Sequence, residues 1–169
     1  TLRNYYLKPF RAAVNAGVGT VMNSFNEVSG VSTSASRYLL YDVLKDELGF
    51  NGYVVSDWGT VEQTVDQSVA KDREDAARIC VNAGLDMEMV SRCYIENLEK
   101  LVADGKVDIK TIEESAQRII YIKLMSGLFE KPYSKNFDID YKKDVETAKK
   151  CSDETMILLK NENNILPLS

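Results

Sequence analysis

Carboxylates and one aromatic define the chemistry open to this sequence. In "GFNGYVVSDWGT", residues 49–60, the apolar run Tyr53-Val54-Val55 ends in Ser56-Asp57-Trp58-Gly59, and Trp58 is the only tryptophan of the chain. A carboxylate next to a tryptophan suits a sugar: the apolar C–H face stacks on the ring and the hydroxyls bond to polar neighbours. The same Asp could instead cap a helix or close an Asx turn, and Trp58 could serve packing alone. Two further strand-like runs end in polar residues. The first, Thr20-Val21-Met22, leads into Asn23, Ser24, Phe25 and Asn26; the second, "LDMEM", carries Asp86, Met87, Glu88 and Met89. For Asp86 and Glu88 a salt bridge or a helix cap is the expected role.

What is absent narrows the classes. The 169 residues contain no histidine, which removes Ser-His-Asp and Cys-His nucleophile systems and histidine-based metal sites. No metal or cofactor is expected. "GVGTVMNSFNEVSG" misses the GxGxxG phosphate cradle and precedes a strand rather than following one. A net charge of −5 and no Lys/Arg cluster argue against nucleic acid. No run reaches the roughly 20 apolar residues of a membrane span. Cys80, Cys93 and Cys151 are widely spaced and odd in number, which reads as three buried thiols and favours a reducing compartment.

The elements that must position these residues alternate. Apolar spacing predicts a helix over 2–16 interrupted near Pro9, a strand at 20–22, and a polar loop over 24–35. A helix over 37–48 follows, capped by Ser36 and ended by Gly49. Then come a strand at 53–56, a turn at 57–60, a helix over 72–83 stopped by Gly84, and "LDMEM" as a third strand. Helices over 91–104 and 111–126 follow, the second with Thr111 and Glu114 as a capping box. Residues 128–143 read as a linker, 144–154 as helix, "MILLK" as a strand and "NENN" as a turn. Strands alternating with helices imply an α/β fold with a parallel sheet, whose functional residues gather at the carboxyl ends of the strands. Neither end looks native: Thr1 opens inside a helical pattern without an initiator Met or a signal peptide, and "NNILPLS" stops on an apolar segment.

Along its whole length the chain resembles glycoside hydrolase family 3, in its β-glucosidase-like branch. "GFNGYVVSDWGT" is similar to the nucleophile motif and "VGTVMNSFNEVSGV" to the VMxSYNxxNG segment. "LRNYYLKPFRAAV", "LLYDVLKDELGFNG", "NAGLDMEM", "AQRIIYIKLMSGLFE" and "MILLKNENNILPL" resemble successive family segments in the same order. The resemblance implies a (β/α)8 TIM-type barrel followed by an α/β sandwich. Residues 1–127 would be the last three or so strand–helix units of the barrel, 128–143 the linker, and 144–169 the beginning of the sandwich domain.

It also implies a retaining mechanism with Asp57 as nucleophile, and with Trp58, Phe25 and Met22 lining the subsite for the sugar. The partners implied are a β-linked glucoside or oligosaccharide and the remainder of the polypeptide. The acid/base glutamate of the family would lie beyond Ser169, and an Arg and a Lys-His pair upstream of Thr1, so the isolated piece is expected to be inactive. Phe25 stands where Tyr is commoner, Ser29 where Asn is, and Val90 where Pro is. The N-acetylglucosaminidase branch is the nearest enzyme alternative, although "SDWG" and the absence of histidine argue against it. A non-catalytic interaction module is the other reading, since a three-stranded parallel sheet leaves open edges.

Overall fold

The computed structural model describes residues 1–133 and 139–168. The chain forms two compact units, Thr1–Pro132 and Tyr133–Ser169.

The first unit is α/β. Its N-terminal helix is wound in two ways: a π-helix over Leu2–Tyr6 and then α1, Leu7–Asn15. The interruption expected near Pro9 takes the form of this change of winding, two residues before the proline. Strand β1, Thr20–Met22, lies parallel to β4, Tyr53–Val55, in the register Thr20↔Tyr53, Val21↔Val54, Met22↔Val55. "LDMEM" does not form the expected strand. It joins β4 through one parallel bridge, Val55↔Met87, because the chain then turns sharply, with Val90 and Arg92 at positive φ.

Parallel strands need long crossovers. Between β1 and β4 runs a second π-helix, Tyr38–Glu47, which buries Leu40, Val43 and Leu44. Ser36 Oγ accepts the Leu39 N–H at 3.3 Å, the capping role expected of it. The polar loop expected over 24–35 contains a small hairpin. β2, Glu27–Val28, pairs antiparallel with β3, Val31–Ser32, across Ser29 and Gly30, both at positive φ as a primed turn requires.

After β4 come α2, Thr60–Asp66; α3, Arg73–Ala83; α4, Cys93–Ala103; and α5, Ile109–Met125. α2 was not expected. Asp72 caps α3 by accepting the Asp75 N–H at 2.8 Å. The cap of α5 is Asp108, which accepts the Lys110 N–H at 2.9 Å, so the helix begins two residues before the expected Thr111. The core packs these helices against the inner face of β4: Val54, Val61, Ala76, Cys80, Leu85 and Leu101 are fully enclosed.

In the second unit, α6 spans Tyr141–Thr155, capped by Asp140, and a 3₁₀ turn covers Glu162–Asn164. "MILLK" pairs with no strand among the described residues. Of the linker expected over 128–143, residues 134–138 lie outside the described residues. Cys80 and Cys93 are buried as expected, but Cys151, on α6, is exposed.

Candidate active site

Strand pleating divides the residues of β1 and β4 between two faces. Val54 and Ser56 point into the core and are fully buried. Tyr53, Val55 and then Asp57 alternate to the other face, which is only partly covered. Register places Met22 beside Val55 and Met87 on its other flank. The result is a row of apolar side chains across three parallel segments, with Asp57 two residues beyond its centre. Met22 is 49% exposed and Met87 42%.

The main chain at Asp57 is held from both neighbours. On the β1 side, its N–H donates to Asn23 Oδ1 at 2.8 Å. On the other side, the Ser56 N–H donates to the Met87 carbonyl at 2.8 Å and Ser56 Oγ accepts the Met89 N–H at 2.7 Å. The Gly59 N–H reaches the Met89 carbonyl at 3.1 Å. Gly59, at φ +69, lets the chain reverse from the strand end into α2, and the Thr60 N–H closes the turn on the Asp57 carbonyl at 3.2 Å. The turn expected over 57–60 is therefore present.

The carboxylate itself is less engaged. Asp57 Oδ1 accepts the adjacent Trp58 N–H at 2.6 Å. Among the described residues no second protein donor meets the carboxylate, and no cation pairs with it. A half-buried carboxylate on a fixed main chain with an open oxygen can attack an electrophilic carbon. Trp58, 67% exposed, stands next to it as an unpacked aromatic surface. Phe25, 46% exposed, belongs to the loop after β1, which Gln67 ties to the end of α2 by donating to the Phe25 carbonyl at 3.1 Å.

The other carboxylates at strand ends have structural partners. Asp86 is buried and bonded to Lys45, Arg118, Ser115 and the Val54 N–H. Glu88 receives the Cys93 and Tyr94 N–H groups at 2.8 and 2.7 Å, capping α4. The buried thiols are poor nucleophiles: burial pushes Cys80 up to about 12 and Cys93 to about 11. No group of three or more potential ligands among the described residues could hold a metal.

A groove of about 630 Å³ flanks β1, lined by Leu7, Phe10, Val21, Met22, Leu40 and Leu44 among others. It reaches Met22, Asn23 and Ser24 but not Asp57, Trp58 or Phe25. It is an apolar trough beside a strand edge, and the carboxylate lies outside it.

In sequence Asn23 is one of the polar residues that end the first strand, and no local pattern marks its side chain. The available signal is its register. It follows the last residue of a strand paired with the strand that carries Asp57.

Comparison with known proteins places the whole chain among glycosidases and related structures. The chain is 34% identical to a periplasmic β-glucosidase of Salmonella typhimurium, over 99% of its own length and 23% of the relative's. It is 35% identical to a β-xylosidase of Formosa agariphila, over 99% of itself and 25% of the relative. The crystal structure of a Listeria innocua β-glucosidase in complex with glucose superposes with a TM-score of 0.79 at 33% identity, covering all of this chain and 24% of that one. The same enzyme has been solved with isofagomine and, as a mutant, with laminaribiose. This chain thus spans about a quarter of the length of these relatives. The model of the glycosyl hydrolase family 3 N-terminal domain matches residues 1–122, and the chain belongs to that family.

Proposed function

We propose that this chain is the nucleophile-bearing part of a retaining β-glycosidase, β-glucosidase-like, with Asp57 as the attacking carboxylate. The observation that carries the reading is the strand end itself: a fixed main chain, a carboxylate with no cation partner among the described residues, and an exposed Trp58 beside it. The Asp57 carboxylate attacks the anomeric carbon and forms a glycosyl ester as the bond to the leaving oxygen breaks. A second carboxyl, about 5 Å away, protonates that oxygen and then takes a proton from the water that hydrolyses the ester. The resemblance puts that acid/base outside these 169 residues, in the rest of a longer polypeptide. Glu88 is engaged at α4 and is not a candidate. Trp58, Phe25 and Met22 line the glycone subsite and offer apolar surface to the sugar.

At the level of architecture, residues 1–127 form the last strand–helix units of a (β/α)8 barrel, 128–143 a linker, and 144–169 the start of an α/β sandwich. Two features support this. The segments at 20–22, 53–55 and 87 lie parallel in chain order, and β1 has no second strand partner among the described residues. The apolar groove along that edge is the kind of surface a further unit of the barrel would cover.

The test is made in the full-length polypeptide carrying this chain. Asp57→Asn should lower kcat on aryl β-glucosides and β-xylosides by at least about 10³-fold, with the fold retained. A 2-deoxy-2-fluoro glycosyl inhibitor should label Asp57. Full turnover by the variant, or a label mapped to another residue, overturns the assignment.

A further inference from the structure

We propose that Asn23 is a positioning residue for Asp57, acting as a side-chain rung that extends the β1–β4 ladder to the nucleophile. This rests on the reading of Asp57 given above. The ladder bonds alternate between the strands: the Tyr53 N–H donates to the Gly19 carbonyl at 3.3 Å, and the Asn23 N–H to the Val55 carbonyl at 3.0 Å. In a parallel pair the next rung would run from the Asp57 N–H to the main-chain carbonyl of Asn23. That rung is missing. The Asp57 N–H instead meets the side-chain Oδ1 of Asn23 at 2.8 Å.

The substitution has a geometric consequence. β1 can end at Met22 and turn away into the loop carrying Phe25, while the chain after β4 keeps a partner two residues further, at Asp57. The same Oδ1 also accepts the Thr60 hydroxyl at 3.3 Å, which ties in the first residue of α2. The amide is held in turn: its Nδ2 donates to Ser34 Oγ, and the residue is only 7% exposed. One buried amide therefore joins the end of β1, the peptide of Asp57, the start of α2 and the turn at Thr33–Ala35. The segment that resembles VMxSYNxxNG leaves this position open, so the role comes from the geometry here.

Two substitutions in the full-length polypeptide test this. Asn23→Leu keeps the volume and removes the acceptor. It should lower kcat on an aryl β-glucoside by about 10- to 100-fold with KM within about twofold, since a small displacement of the attacking group costs chemistry before binding. The peptide containing Asp57 should exchange its amide hydrogens faster. Asn23→Asp keeps the acceptor and adds a charge beside Asp57. It should retain the exchange protection and move the acidic limb of kcat/KM to higher pH, because like charges oppose ionisation. A folded Asn23→Leu with unchanged kcat, or with only KM raised, overturns the proposal. If that variant does not fold, an unmoved acidic limb in Asn23→Asp overturns it. The underlying reading fails separately: a wild type without turnover, or undiminished turnover in Asp57→Asn, sinks the nucleophile assignment itself.

Discussion

A Cβ added at Gly52 would lie 2.0 Å from the Gly19 carbonyl oxygen and 2.7 Å from the Phe50 ring. Main chain presses on main chain where β4 begins, so no rotamer change makes room. Gly52→Ala should therefore cost about 1–3 kcal/mol, the range of overpacking, and push β4 away from β1. Urea midpoints of the two chains check this; equal midpoints would mean that the strands separate freely. At this scale the sequence was readable in part. Asp57 stood out because an apolar run ended in a carboxylate. Asn23 did not, because its importance lies in a contact with Asp57, 34 positions away in sequence, and a local pattern does not name the partner strand. Asp86 and Glu88 were legible as partners of charges and helix ends, the common fate of carboxylates behind a strand.

Helices were the more legible elements. The stripe Leu40, Val43, Leu44 and the stop signals Gly49 and Gly84 mark apolar faces and ends that local periodicity records. α2 escaped because "TVEQTVD" buries only Thr60, Val61 and Thr64, two of which count as polar in any hydropathy pattern. The hairpin escaped because each of its strands is two residues long. α4 shows how an end is set from outside its own sequence. Arg92, at φ +61, offers no side-chain cap, and Glu88 takes the Cys93 and Tyr94 N–H groups instead. A carboxylate at a helix start satisfies orphan donors and complements the positive end of the helix dipole. Glu88→Ala should cost about 1–2 kcal/mol, in line with lost caps. Amide exchange should rise first at Cys93 and Tyr94. If exchange rises evenly across the unit, Glu88 supports the core rather than this helix end.

At the scale of the first unit, one carboxylate joins elements far apart in sequence. Asp86 is fully enclosed and accepts from Lys45 on the π-helix at 2.9 Å, Arg118 on α5 at 2.8 Å and the Val54 N–H of β4 at 2.9 Å. Ser115 is a fourth donor residue, through Oγ at 2.8 Å. The sequence announces a carboxylate here but not its partners, which lie 41 positions before it and 32 after it. Burial holds the Lys45 amine below its ordinary 10.5, and Asp86 works against that shift. Asp86→Asn leaves two cations facing a neutral amide, and should cost about 3–5 kcal/mol, as broken buried pairs do. The pH dependence follows from Lys45. With its counter-charge removed, the folded chain gives up this proton at still lower pH than the unfolded chain does near 10.5. Between those values the unfolded state holds more protons, so stability gains as pH rises. The deficit of Asp86→Asn should therefore narrow between pH 7 and pH 10. Adding Lys45→Met to Asp86→Asn should recover part of the loss at pH 7 and flatten that pH dependence. A deficit that stays constant with pH, or a double variant no more stable than Asp86→Asn, would show that Asp86 serves β4 and α5 without Lys45.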